Sequence, residues 1–159
     1  MLQMRPMTQG EFRLYRQRAV SSYARDLIES GQNAPVDADE RASACLDVLL
    51  PDGLLTDNQV LLTVRESAQG EVLAFVWYAV VEEGPHRTLF IYDLDVEPAF
   101  RRQGVATRVL LAIEDEAREL RVTELGLSVF NHNAAARALY RGQGYAEVTT
   151  TMIKPVASR

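Results

Sequence analysis

The chain has 159 residues, 47% of them hydrophobic, which is the size of one domain with one core. A net charge of −5 on an ordinary charged fraction of 25% offers no basic patch for nucleic acid, and a single cysteine, Cys45, excludes an intrachain disulfide and any cysteine-rich zinc site. No apolar run approaches membrane-spanning length and Met1 to Gly10 lacks the apolar core of a signal peptide, so the expectation is a cytoplasmic protein with no membrane partner.

Leu2 to Met7 alternates and is ended by Pro6, which reads as an edge strand, with Thr8 as the cap of the helix after it. From Gln9 to Ser30, Phe12, Tyr15, Ala19, Tyr23 and Leu27 recur at helical spacing, and Gly31 closes the helix. Asp37 to Leu50 predicts a second helix with Ala38, Ala42, Cys45, Leu46 and Leu49 on one face, which makes Cys45 a buried structural residue. Val60 to Glu66 and Glu71 to Glu83 are β-rich runs around a hairpin turn at Ser67 to Gly70. Trp77 and Tyr78 must face opposite sides of their strand, one into the core and the other toward a cleft. A turn at Gly84 to Arg87 leads to a strand from Thr88 to Glu97, which completes an antiparallel meander.

Pro98 cannot donate to a ladder and ends that strand, and Gly104 permits close backbone approach where a helix begins at Gln103. Val109, Leu110, Ile113, Ala117 and Leu120 form its inner face. Its first free amides and its dipole favour an anion, and Arg101 and Arg102 add positive charge, so the loop reads as a phosphate cradle; an ordinary strand-to-helix connection fits the same residues. Leu125 to Phe130 is the next strand, parallel to the one before the helix and joined by a right-handed crossover. Asn131 to Asn133 cap a short helix, Ala134 to Arg141, and Tyr145 to Lys154 is expected as a last strand. The fold class is α/β, a single domain with a twisted mixed sheet of six or seven strands and helices on both faces.

Two motifs give the chain a resemblance. Arg101-x-x-Gly104-x-Ala106 matches the Arg/Gln-x-x-Gly-x-Gly/Ala signature of the GCN5-related N-acetyltransferases (the GNAT family), and Asn133-x-x-Ala136-x-x-Leu139-Tyr140-x-x-x-Gly144-Tyr145 is similar to the family's second motif with Tyr in place of Phe at its end. Arg102 and Ala106 stand where many members carry Gly. The resemblance spans Gln59 to Lys154 and implies two central parallel strands that splay to hold acetyl-CoA as co-substrate. It implies that the pyrophosphate sits on Arg101, Arg102 and the amides of Gln103, Gly104, Val105, Ala106 and Thr107. The pantetheine arm would lie along Leu94, Asp95 and Val96, near Asn133 and Ala136. Tyr140 takes the place of the general acid that protonates the departing thiolate; a tyrosine packed beside Leu139 fits its spacing equally. The first helix borders the acceptor pocket in the family, which makes Tyr15 and Tyr23 candidates for contact with the acceptor, and the alternation of Trp77 and Tyr78 adds Trp77 as the one that would line the cleft.

Asp93 and Asp95 lie two apart and share a strand face unless a bulge intervenes. Buried carboxylates are costly unless partnered, so the pair binds a cationic amine, or one of the two deprotonates it through water, or a nearby Arg neutralises them. Asn131 and His132 read as cap or loop residues, and no metal is expected. The reading is an acetyl-CoA-dependent N-acetyltransferase, monomer or homodimer, acting by direct attack of an amine; its rival is a non-catalytic acyl-CoA-binding module. A nucleotide-phosphate enzyme is disfavoured, because neither Gly-x-Gly-x-x-Gly nor Gly-Lys-Ser/Thr is present. The acceptor stays open between a small amine, a peptide lysine, an N-terminus and an antibiotic.

Overall fold

A computed structural model describes residues 1–157. Helix α1 (Gln9–Glu29) starts at a capping box: the Thr8 hydroxyl accepts from the Glu11 amide at 3.2 Å, and the Glu11 carboxylate accepts from the Thr8 amide at 2.8 Å. Burial pushes the Glu11 carboxyl up, but the Thr8 amide and the guanidiniums of Arg65 and Arg5 prevail and hold it at about 2. This one side chain ties α1 to β1 (Gln3–Pro6) and β2 (Val60–Arg65). Helix α2 (Ala38–Leu49) packs along α1, with Ala38, Ala42 and Leu46 buried; Cys45 is only half-buried and Leu49 exposed, so that inner face is narrower than expected.

The sheet has five strands in the order β1-β2-β3-β4-β5, with β3 at Val72–Glu83, β4 at His86–Val96 and β5 at Glu124–Leu127. β1 to β4 form the antiparallel meander, and helix α3 (Val105–Glu119) makes the crossover to parallel β5. Period-two alternation gives each face its own cover. Leu61, Phe75 and Trp77 meet Phe12, Tyr15 and Leu50 on the α1 side, while Val64, Val76, Tyr78, Leu89 and Ile91 meet Val105, Val109, Leu110 and Ile113 of α3 on the other. Helices on both faces are thus borne out, and so is the opposition of Trp77 and Tyr78.

Three expectations are corrected. Tyr145 to Lys154 forms no ladder, so the sheet among the described residues has five strands and not six or seven. The start of this segment is clamped to α4 (Ala134–Gly142) by Arg137 and Arg141, which bond Glu147 at 2.9 and 2.7 Å and hold it off the sheet. β5 is therefore an edge strand, not a central one, and it ends at Leu127 before Phe130. Lastly, α3 opens at Val105, because Arg102 and Gly104 take left-handed φ values of 61° and 75° that continue the turn. The parting of the parallel strands holds: pairing runs only from Thr88–Glu124 to Ile91–Leu127, and from Asp93 to Val96 β4 is paired with β3 but not with β5.

Candidate active site

The lone end of β4 carries both aspartates. A bulge leaves Tyr92 unpaired between Ile91 and Asp93, so Asp93 opposes Trp77 and Asp95 opposes Phe75, and both carboxylates face α1. There they part company. Asp93 Oδ2 accepts a hydrogen bond of 2.9 Å from the Tyr15 hydroxyl of α1. Asp95 pairs with Arg18 of α1 at 2.6 Å and with Arg101 at 3.7 Å, and Arg18 also bonds Glu97 while its guanidinium lies 5.7 Å from the centroid of the Phe75 ring. Neutralisation by Arg, one of the readings of the pair, thus holds for Asp95 alone.

Protonation tracks this division. Burial pushes Asp93 up to about 6; the Tyr15 hydrogen bond pulls against that rise and the neighbouring Asp95 charge adds to it. Burial also raises Asp95, against the pull of Arg18. Tyr15 is wholly buried, and desolvation followed by the Asp93 charge lifts its phenol well above the usual range. It is a fixed donor to Asp93, not a surface that an acceptor touches. Tyr140, on α4, is raised by burial and then by the charge of Asp93, which puts the phenol within the electrostatic reach of that carboxylate and keeps it protonated at neutral pH.

Beyond β4 the chain makes a 3₁₀ turn at Pro98–Phe100, braced by the Gln103 amide group donating to the Ala99 carbonyl at 2.8 Å. The backbone amides of residues 102–107 meet no acceptor among the described residues, and the first intrahelical bond is Arg108 to Gly104. On the strand, the Glu97 amide bonds the Leu73 carbonyl of β3 at 2.8 Å, so by alternation the backbone groups of Leu94 and Val96 point to the edge that β5 has left. Arg101 turns back there and donates from Nε to the Val96 carbonyl at 3.0 Å. Its charge braces the strand end and Asp95, while Arg102 stays exposed beside the amides. The Val105 side chain belongs to the core, which leaves only its amide to the loop.

A free strand edge running into free helix amides is the layout that the two motifs imply. A family model described as "Acetyltransferase (GNAT) family" matches residues 20–145. The chain belongs to the GNAT acetyltransferase family. It is 31% identical over 153 residues to YycN of Bacillus subtilis, named as an uncharacterized N-acetyltransferase, covering 96% of this chain and 97% of that one. It is 32% identical over 148 residues to YdgE of the same organism, with 93% and 94% covered. The crystal structure of YycN superposes with a TM-score of 0.91 at 30% identity over 99% of this chain and 100% of that one. A Clostridium acetobutylicum structure described as a "predicted acetyltransferase with acetyl-CoA" shares the fold, with a TM-score of 0.62 at 20% identity over 98% and 96% of the two chains.

Within this GNAT fold the second motif lies on α4 and its flanks. Asn133 caps the helix, its side-chain oxygen accepting from the Ala136 amide at 3.1 Å, which leaves its NH₂ free. The Tyr140 ring meets Tyr145 edge-on at 5.6 Å. Trp77 is 3% exposed, stacks on Tyr92 at 4.7 Å and donates to Gln59 at 2.6 Å, so it belongs to the core and not to an acceptor surface. Tyr23 does reach the rim, where it meets Phe130 at 6.1 Å, and Phe130 stacks on His132. His132 Nε2 lies 2.8 Å from Asp26 and 3.3 Å from Glu29, which ties α1 to the loop before α4. Sequence reasoning passed over Arg18 and took His132 for no more than a cap or loop residue, and both matter here. Arg18 sits three positions after Tyr15 on the same helix face, a spacing that was available to read.

Proposed function

We propose that the chain transfers the acetyl group of acetyl-CoA directly to an amine, with Asp93 as the base and Tyr140 as the acid. One observation carries the reading: Asp93 forms no salt bridge among the described residues, is held by the Tyr15 hydroxyl at 2.9 Å and is pushed up to about 6, and its charge in turn raises Tyr140. A base poised there is mostly ionised at neutral pH yet able to hold a proton.

The amides of residues 102–107 would seat the pyrophosphate at the α3 N-terminus, and the Leu94 carbonyl and the Val96 amide would take the amide-rich pantetheine arm. Held by the Tyr15 hydroxyl and the Leu94 amide, the Asp93 carboxylate accepts a proton from the incoming ammonium, directly or through a water. The neutral amine then forms the new C–N bond, the thioester C–S bond breaks, Tyr140 gives its proton to the departing thiolate, and the second proton lost from the nitrogen restores the phenol. Asp95 takes no part in the transfer; it is the anion that binds Arg18 and Arg101 and raises the proton affinity of Asp93. Asp26 and Glu29 at the rim favour a cationic acceptor over an anionic one.

The test is release of CoA thiol from acetyl-CoA across a panel of small amines and peptides. Transfer to at least one amine, lost in Tyr140→Phe, supports the reading. Binding of acetyl-CoA without transfer to any amine would favour an acyl-CoA-binding module instead.

A further inference from the structure

We propose that Asp26, Glu29 and His132 form a zinc site that cross-links α1 to the loop before α4. The two carboxylates stand three positions apart on α1 and so share one helix face, and the imidazole comes to Asp26 from 106 positions along the chain. His132 Nε2 lies 2.8 Å from Asp26 Oδ1 and 3.3 Å from Glu29 Oε2, and the three donor atoms all fall within 4.8 Å of one another. The ring is held in this place by its stack on Phe130 at 5.4 Å, and Phe130 in turn meets Tyr23 of α1. Only the fold joins His132 to the pair on α1, so no metal is legible in the sequence.

A hydrogen-bonded clasp leaves this group short of both protons and positive charge. Nε2 carries at most one hydrogen and a carboxylate only accepts, so one hydrogen serves two anions. Among the described residues neither carboxylate pairs with a Lys or Arg, which leaves two negative charges against at most one positive. A divalent cation bonds all three atoms and cancels that charge. Two ligand atoms on zinc bonds of about 2.0–2.1 Å at the tetrahedral angle stand roughly 3.3–3.4 Å apart, so Glu29 is already at that separation from Nε2 and Asp26 needs a shift of about half an ångström. The donor set selects the metal: one imidazole nitrogen with two carboxylates suits zinc, whereas magnesium and calcium take oxygen shells. All three side chains are open to solvent, so an ion can enter without any element moving, and water completes the four positions. The cross-link lands on the loop whose Asn133 caps α4, the helix that carries Tyr140, and Glu29, His132 and Tyr140 line one crevice. The bound ion therefore fixes α4 against α1 at the rim and removes the negative charge there.

Zn²⁺ alone, added to the full chain after dialysis against a chelator, tests this by calorimetry and thermal shift. The wild type is expected to take up one ion per chain with a micromolar dissociation constant and to melt higher with it, while Mg²⁺ at the same concentration changes nothing. Co²⁺ in place of zinc should give the intense visible bands of a four-coordinate site. His132→Gln and Asp26→Asn each remove one ligand at a solvent-open position, so circular dichroism should stay unchanged while zinc binding weakens by roughly tenfold or more. His86→Gln, at the chain's other histidine, should bind as the wild type does. A wild type that takes up no zinc would overturn the proposal. So would full affinity in His132→Gln or Asp26→Asn, or loss of binding in His86→Gln, because the ion would then sit elsewhere.

Discussion

Tyr15→Phe isolates the contact on which the proposed base depends. The ring stays in its buried place against Phe75, and only the hydroxyl that donates to Asp93 at 2.9 Å is lost. A hydrogen bond to a charged acceptor is worth about 1.5–3 kcal/mol, or about one to two pH units of proton affinity. Without it, Asp93 should rise from about 6 to roughly 7–8. The acidic limb of kcat/KM should move up by the same interval. At pH 7 the ionised fraction falls from about nine-tenths to between one-half and one-tenth, so activity drops roughly two- to ninefold and recovers by about pH 9. Thiol release from acetyl-CoA with a saturable amine, measured from acid to alkaline pH, reads this directly. A limb that stays where it is in the wild type, or activity that does not return at high pH, would refute the reasoning.

Tyr140→Phe should lower turnover by about a hundredfold or more while acetyl-CoA affinity, read by calorimetry, barely changes. Gly104→Val puts a β-branched side chain at φ 75° beside the free amides; acetyl-CoA should stabilise the wild type by about 2.7 kcal/mol at a hundred times its dissociation constant, and this thermal shift should vanish in the variant. Glu11, held at about 2 when folded, contributes stability that is present above its ordinary 4.5 and lost as pH falls toward 2; Glu11→Gln should flatten that acid limb in urea titrations. Asp93 has the opposite sign. Its rise from 3.8 to about 6 favours the fold at low pH and weakens it as pH rises through 6, so Asp93→Asn should stabilise the fold at pH 8 by up to about 3 kcal/mol, read as a higher Tm, while removing activity.

Much of this was legible from the chain alone, for local reasons. The meander, α1 and α3 come from periods of two and 3.6, and the cradle comes from Pro98 and Gly104, whose backbone restrictions act within a few residues. Parity put Asp93 and Asp95 on one face, and the bulge at Tyr92 falls just before them and leaves that parity intact. What the sequence withheld depends on partners distant in the chain. Nothing local to β4 says that Arg18, nearly eighty residues away, meets Asp95 while Tyr15 meets Asp93. Parity separated Trp77 from Tyr78 but not cleft from core, and both prove buried. The β-rich run from Tyr145 was a strand by composition, but a strand needs a neighbour, and the clamp on Glu147 keeps this one off its own sheet.

The assignment of Asp93 as base is tested most directly by single-turnover acetyl transfer in the wild type and Asp93→Asn, measured across pH with acetyl-CoA saturating. The amide keeps the Tyr15 hydrogen bond and the shape of the site but accepts no proton. The wild-type rate should rise through an ionisation at about 6, and Asp93→Asn should lose about a hundredfold or more together with that ionisation. Wild-type rates and an unchanged profile in Asp93→Asn would contradict it.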